Sequence, residues 1–246
     1  MKSVDSLGVG DRVVDVDPAE RAAVLRELFV LWLVILGLVR GVVTLQESAG
    51  LPSWLLAAVP LLFIYGPVLL CRVRGVDSWG YRLSIPAFRD LAAWREAVVL
   101  NLRVIALITL PWLVGYHFYQ TRLFGLEPGH GWPDEIGTLI AFQLFFVAIP
   151  EEFFYRGYFQ TRLNEVFPRH LMVFGVPMGW GAVLAAVFFA FGHSIVEVQW
   201  WHFATFFPGL AFAWMREKTG GVIAGAFFHA WCNVAVASLD SFYGLR

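Results

Sequence analysis

The sequence has few charged residues for its length. Only 15% of its 246 residues are charged and 59% are hydrophobic, whereas an average soluble domain has about 25% charged residues. With a mean hydropathy of +0.66, this composition excludes an ordinary soluble globular protein. The formal net charge is −1 and the sequence has no basic patch, so we expect no nucleic-acid partner. The composition is typical of a protein that crosses the membrane several times.

Cysteine is scarce, and the chain lacks a basic leader. Its two cysteines, Cys71 and Cys232, both lie in apolar segments, which argues against a disulfide framework. The first twenty residues are rich in acidic side chains, whereas a secretory signal peptide begins with basic ones. We therefore expect the protein to insert through its own first helix and to keep that helix.

Hydrophobic runs long enough to cross a bilayer recur along the chain, since a spanning helix needs about 20 mostly apolar residues. The predicted spans are residues 24–45, 52–71, 95–119, 135–159, 171–193, 199–216 and 221–240. An eighth helix is expected if residues 135–159 break into two. The predicted fold is therefore all-α, a polytopic transmembrane helical bundle of seven or eight helices.

Basic residues alternate between the loops that join these spans. Several arginines crowd residues 72–95, others lie at 156–169, and Arg216 with Lys218 forms a third group. By the positive-inside rule, this places the N-terminus in the cytoplasm and the C-terminus outside. Residues 79–94 are polar but rich in aromatics. They are predicted to form either an interfacial amphipathic stretch or an ordinary loop that touches the membrane.

Three ionisable residues interrupt the apolar run that begins near residue 135: Glu151, Glu152 and Arg156. A charge at bilayer depth costs roughly 2.5–3.5 kcal/mol, so such residues usually face a cavity and have a function. Positions i and i+4 share a helix face, so Glu152 and Arg156 are expected to pair. Glu151 points elsewhere and is the candidate general base, because a poorly solvated carboxylate binds protons more strongly. Alternatively, all three form an ion-pair network that only fixes helix packing.

Three more polar side chains interrupt later apolar runs. His193 ends one run, and His229 and Asn233 lie one turn apart on one face of the last predicted helix. Imidazole and carboxamide groups can donate hydrogen bonds to an oxyanion, or they can simply join helices together. If residues 135–159 run inward and residues 171–193 run outward as two straight helices, Glu151 and His193 lie some 20 Å apart at 1.5 Å per residue. To share a site, the helix after Glu152 must break or extend, or His193 must dip inward.

Other chemistries remain open on residue types alone. The sequence has no His-Glu-x-x-His motif, although Glu151, His193 and His229 together would suit a catalytic zinc. It has no Gly-x-Ser-x-Gly motif, although Ser194 follows His193, and Cys232 lies three residues after His229. Ionisable residues inside a membrane also mark transporters and proton relays. A transporter would favour similar interruptions in both halves, and the first half has no counterpart to the Glu-Glu segment.

The motif residues resemble those of the CPBP family, the CAAX-protease and bacteriocin-processing (Abi) intramembrane proteases. The resemblance covers roughly residues 135–240 and is carried by Glu151-Glu152-x-x-x-Arg156, Phe189-x-x-x-His193, His229-x-x-x-Asn233 and the turn Thr219-Gly220-Gly221. It implies a glutamate-dependent endopeptidase in which Glu151 activates a water that His193 helps to hold. His229 and Asn233 would form the oxyanion hole, and Glu152 with Arg156 would orient the site.

The resemblance also implies an organisation and a setting. Residues 1–130 would supply N-terminal transmembrane helices and a cytoplasmic loop, and residues 131–246 the catalytic core of one integrated membrane domain. The substrate would be a membrane-anchored peptide or protein in the bilayer of a bacterial inner membrane, with no cofactor and with zinc as the alternative. A myxosortase-like member would remove a C-terminal sorting anchor. The rival within this fold is a non-catalytic bacteriocin-immunity protein.

Overall fold

The computed structural model of the chain describes residues 16–50, 52–76, 90–196 and 200–245. The described residues form seven helices: α1 Pro18–Ala49, α2 Ala58–Val73, α3 Leu91–Phe118, α4 Ile136–Val166, α5 Trp180–Val196, α6 Phe206–Thr219 and α7 Ile223–Phe242. This number agrees with the predicted bundle of seven or eight helices. Most of the predicted interfacial stretch, residues 79–94, lies outside the described residues.

Within the described ranges, four helical stretches are long and apolar enough to cross a membrane: Pro18–Ala49, Trp54–Val73, Leu91–Leu123 and Ile136–Val166. Trp180–Val196 is a shorter apolar helix. Local sequence explains the ends of the first stretch. The carboxylate of Asp17 accepts a hydrogen bond from the backbone N–H of Ala19 and Pro18 opens the helix, while Gly50 ends it with a left-handed φ of 60°. The protein is a multi-pass membrane protein.

The prediction of a helix over 171–193 is wrong for its first nine residues. Residues Arg169–Val173 and Val176–Gly179 form an antiparallel hairpin, β1 and β2, and α5 begins only at Trp180. Phe174 and Gly175 form its turn with φ of 48° and 75°. A turn with two positive φ values matches the twist of paired strands, and a proline two residues later does not suit a helix interior. The prediction missed this turn because it relied on the apolar composition of the segment.

Helix α4 runs through the acidic motif without breaking, so no eighth helix forms here. Its Ile149–Glu152 segment is an α-turn between two wider π-type stretches, Gln143–Ala148 and Phe153–Gln160. Such π-turns are rare and occur often at functional sites, because they change the direction in which neighbouring side chains point.

Aromatic packing makes α4 the centre of the bundle. Phe154, Tyr155, Tyr158 and Phe159 are at most 2% exposed. The ring of Phe63 in α2 packs edge-on against Phe154 at 5.4 Å. Helix α1 is joined to α5 by the indole N–H of Trp32, which donates to the carbonyl of Phe188 at 3.2 Å. The N-terminal helices are therefore packed onto α4 and α5.

The length of α4 and the hairpin together bring Glu151 and His193 to the same level. Helix α4 continues to Val166, beyond its predicted end at residue 159. The chain then makes the hairpin and returns in α5. From Glu151 down to Val166, and from Trp180 up to His193, the chain covers about 20 Å in each direction at 1.5 Å per residue. The predicted separation therefore disappears because the helix extends.

Candidate active site

The buried pair Glu152–Arg156 forms as the spacing predicts. Both side chains are fully buried, and Arg156 Nη1 donates to Glu152 Oε1 at 2.9 Å. Arg156 Nη2 donates to the carbonyl oxygen of Gly209 at 3.0 Å. The guanidinium lies 4.4 Å from the ring centroid of Phe189 and 5.0 Å from that of Phe212. A charged pair is tolerated in such surroundings because its hydrogen bonds and the aromatic faces replace water.

Glu152 also holds His229. Its Oε1 lies 3.2 Å from His229 Nδ1, and His229 is 2% exposed. The imidazole stacks on the ring of Phe212 with centroids 4.9 Å apart. A Cβ on Gly225 would come within 2.9 Å of Glu152 Oε2, so a glycine is needed where α7 passes the carboxylate. Glu152 thus contacts a second motif residue besides Arg156.

Glu151 faces both motif histidines. Its Oε2 lies 3.9 Å from His193 Nε2 and 3.9 Å from His229 Nε2. This carboxylate oxygen is buried and has no hydrogen-bond partner among the described residues. The structure therefore brings Glu151, His193 and His229 together, on three different helices.

The tautomers of the two histidines follow from their other contacts. His193 Nδ1 lies 3.0 Å from the carbonyl oxygen of Phe189, and His229 Nδ1 lies 3.2 Å from a carboxylate oxygen of Glu152. Neither oxygen can donate, so Nδ1 carries the hydrogen in each neutral ring and Nε2 is an acceptor. The three atoms that face one another, Glu151 Oε2 and both Nε2, are then all acceptors. A hydrogen donor or a cation placed among them would meet acceptors from three different helices.

Asn233 lies beside this cluster, with a different partner. Its Nδ2 donates to Gln143 Oε1 at 2.9 Å across the α4–α7 interface. Sequence reasoning missed Gln143. The available signal was a lone carboxamide in an uncharged run, eight residues before Glu151 and so two helical turns away on a neighbouring face.

Four of the polar motif residues line one cavity of about 480 Å³. Glu151, His193, His229 and Asn233 all contribute to its wall, and Gln143, Tyr155 and His202 add further polar groups. Most of the remaining wall is apolar: Leu36, Val39, Val43, Val59, Phe63, Val147, Phe189, Val196, Phe212, Val236 and Ala237. His202, which belongs to none of the sequence motifs, is also part of this wall. The cavity combines a small polar cluster with an apolar channel, as ligand sites generally do.

The two alternative nucleophiles, Ser194 and Cys232, have surroundings that do not suit nucleophilic catalysis. Ser194 Oγ donates to the carbonyl of Ala190 at 3.1 Å, within its own helix. Cys232 lines the cavity, but the two nitrogens of the histidine that would activate it face Glu152 and Glu151. In the part of the chain that the structure describes, these contacts do not pair the Ser194 hydroxyl or the Cys232 thiol with the base that nucleophilic catalysis uses.

The same three acceptor atoms suit a metal by residue type. Glu151, His193 and His229 each offer one ligand atom, and these atoms lie within 4.8 Å of one another. Tetrahedral zinc with bonds of about 2.0–2.1 Å would hold its ligands about 3.3 Å apart. The observed 3.9 Å separations would have to shrink by about half an ångström. Zinc, if bound, would supply a Lewis acid at this point.

The fold and the site define a multi-pass membrane protein with a buried carboxylate–histidine centre in a largely apolar cavity. Residues 133–235 match a family model described as Rce1-like, type II CAAX prenyl endopeptidase Rce1-like. This matched region contains every motif residue, and the match confirms the resemblance to CPBP-family CAAX endopeptidases found in the sequence. No curated protein and no solved structure matched the chain. The family implies protease activity on membrane-associated peptides.

Proposed function

We propose that this protein is an intramembrane glutamic endopeptidase that cleaves a membrane-associated protein or peptide. The observation that carries the proposal is the convergence of three acceptors, Glu151 Oε2, His193 Nε2 and His229 Nε2, at one point of the cavity. A water molecule has two hydrogens to donate and an oxygen lone pair left for attack. The site therefore suits water activation.

In the proposed reaction, Glu151 takes one proton from the water, while the O–H that remains donates a hydrogen bond to His193 Nε2. The hydroxide oxygen forms a bond to the carbonyl carbon of the substrate, and the carbonyl oxygen becomes an oxyanion. The C–N bond then breaks, and the proton held by Glu151 passes to the leaving amine. A positioned general base of this kind contributes roughly 10²–10⁴-fold to the rate.

The oxyanion requires hydrogen-bond donors. The two candidates, Asn233 and His229, differ in when they have an N–H to donate. Asn233 has an N–H beyond the one given to Gln143. His229 can donate from Nε2 only when both ring nitrogens carry hydrogen, since Nδ1 is directed at Glu152. The negative charge of the Glu152 carboxylate would stabilise that cationic ring. We therefore propose Asn233 as the constant donor and His229 as a donor in its protonated form.

The proposed substrate enters along the apolar part of the cavity wall. That wall suits an aliphatic chain, either the anchor of a membrane protein or a lipid attached to a peptide. We propose a bacterial inner-membrane enzyme that removes a C-terminal sorting anchor, acting without a cofactor. This setting follows from the resemblance to the CPBP family, because its bacterial members include a myxosortase-like group of sorting enzymes.

The test is cleavage of membrane-anchored fluorogenic peptides by the purified protein, comparing wild type with Glu151→Gln. One probe ends in a prenylated C-terminal peptide and another in an apolar helix with a basic tail. We expect Glu151→Gln to lose at least about 10²-fold in turnover while inserting and folding normally. Glu135→Gln is the matched control, because Glu135 is exposed at the start of the same helix.

Each assay is repeated with a chelator. Loss of cleavage on chelation would favour zinc held by Glu151, His193 and His229 over the metal-free reaction. Retained cleavage by Glu151→Gln would refute Glu151 as the base. If wild type cleaves no probe and Glu151→Gln still protects cells from a bacteriocin, the immunity-type function is the better reading.

A further inference from the structure

We infer that Gln143 is a positioning residue that sets the orientation of Asn233, an inference that rests on the proposed function. Gln143 lines the cavity with Val147 and Glu151, and its Oε1 accepts from Asn233 Nδ2 at 2.9 Å. Neither side chain belongs to the three-acceptor cluster. The pair therefore forms a second polar group in the same cavity.

The backbone of α4 explains how Gln143 reaches this position. In a regular α-helix, residues eight apart differ by about 80° around the axis. The π-type stretch Gln143–Ala148 has more residues per turn, which reduces this offset. Gln143 and Glu151 can then face one cavity from a single helix.

An asparagine amide needs such a partner because its terminal torsion is broad and its two ends differ in chemistry. With Nδ2 donating to Gln143, one N–H is fixed and the second N–H has a defined direction. Without Gln143, the amide could rotate and present Oδ1, an acceptor, where a donor is required.

The orientation matters because donors are scarce at this site. Both neutral imidazoles present an acceptor Nε2, and Glu151 and Glu152 are carboxylates. Of the motif residues that line the cavity, Asn233 is thus the one whose side chain keeps an N–H for an oxyanion in every protonation state. Removing one oxyanion donor typically costs about 10²–10³-fold in kcat, so mispositioning it should cost somewhat less.

The kinetic test compares Gln143→Leu, Gln143→Glu and Phe142→Leu, using the same two fluorogenic peptide probes. Phe142 is 52% exposed and adjacent in sequence, so its variant controls for changes to this turn. We expect Gln143→Leu to lower kcat about 10–100-fold with KM within about 3-fold, as for an interaction made in the transition state. Gln143→Glu keeps an acceptor at this position, and we expect it to retain at least about a fifth of the wild-type kcat.

Coupling to Asn233 separates positioning from a general structural role. In an Asn233→Ala background, we expect Gln143→Leu to change kcat by less than about 3-fold. The inference would be overturned if Gln143→Leu lowered kcat as much in the Asn233→Ala background as in wild type. It would also be overturned if Phe142→Leu or Gln143→Glu lost as much kcat as Gln143→Leu.

A stability measurement makes the inference independent of catalysis. In detergent, the Tm losses of Gln143→Leu and Asn233→Ala should be less than additive in the double variant, because either change alone removes the shared hydrogen bond. Additive losses would overturn the inference. If wild type cleaves neither probe, the proposed function fails, and this thermal cycle alone decides whether Gln143 holds Asn233.

Discussion

At the scale of single residues, Glu152 connects the structural and chemical parts of the site. One oxygen of this fully buried carboxylate accepts from Arg156 and lies against His229. Arg156 is in turn fixed by the carbonyl of Gly209 and by two aromatic rings. The position of His229 therefore depends on a guanidinium that does not line the cavity.

Arg156→Ala should destabilise the protein and lower its activity. Breaking a buried pair by removing one partner costs about 3–5 kcal/mol, because it leaves an uncompensated charge. Arg169→Ala is the control, since Arg169 pairs with Glu217 at 3.1 Å but its side chain is 42% exposed. We expect that control to cost at most about 1 kcal/mol. Thermal unfolding in detergent measures both, and equal losses would contradict the assigned importance of the buried pair.

Gly225→Ala should impair the site through a single methyl group. The added Cβ would lie 2.9 Å from Glu152 Oε2, so the carboxylate must move and carry its contact with His229 along. We expect a lower kcat for peptide cleavage than in Gly41→Ala, whose Cβ meets nothing within 4 Å. Equal activity of the two variants would show that the carboxylate can shift without cost.

The motif residues were predictable because charges and imidazoles stand out in an apolar sequence. The pairing of Glu152 with Arg156 followed from helix periodicity, and the structure confirms it. The contacts of Glu152 with His229 and of Gln143 with Asn233 were not predictable. They join residues far apart in sequence, and their geometry depends on how helices pack and on where π-turns fall.

At the scale of elements, the β1–β2 hairpin is the clearest departure from expectation. Hydropathy treats Leu171, Met172 and Val173 as the start of a membrane helix, but these residues form an exposed strand. Strand β2 packs on the bundle through Val176 and Met178, which are at most 8% exposed. Gly175 and Pro177 were the local signals of a turn, and the hydrophobic composition outweighed them in the prediction.

Phe174→Asn should stabilise this hairpin. Phe174 has a φ of 48° and is 88% exposed. A left-handed conformation costs an ordinary residue about 1–2 kcal/mol, and asparagine tolerates it better. We expect Tm in detergent to rise for Phe174→Asn and to stay level or fall for Leu171→Asn, which places the same residue in the extended strand. A fall in Tm for Phe174→Asn would mean that the ring makes a stabilising contact.

At the scale of the whole molecule, the cavity is built by both halves of the chain. The family match covers residues 133–235, but Leu36 and Val39 of α1 and Phe63 of α2 also line the cavity. Phe63 of α2 also packs on the aromatic side chains of Phe154 and Tyr155 in α4. The motif region therefore lacks part of its own cavity wall.

A fragment of residues 131–246 should be inactive on its own. Without α1 and α2, the apolar wall is missing and the polar cluster is open to lipid. Co-expression with residues 1–130 should restore cleavage of the peptide probes, because the two pieces together contain every lining residue. Activity of the isolated fragment would show that the N-terminal helices are dispensable for catalysis.

The length of α4 has a consequence for any substrate. Glu151 is the middle residue of the 31-residue stretch Ile136–Val166, which is about 46 Å long at 1.5 Å per residue. However the roughly 30 Å hydrocarbon layer is positioned within that length, it contains the midpoint. A peptide bond at that depth normally belongs to a helix whose amide groups are all internally bonded. A substrate must therefore unwind before it can be cut, so residues of low helix propensity are expected around its cleavage site.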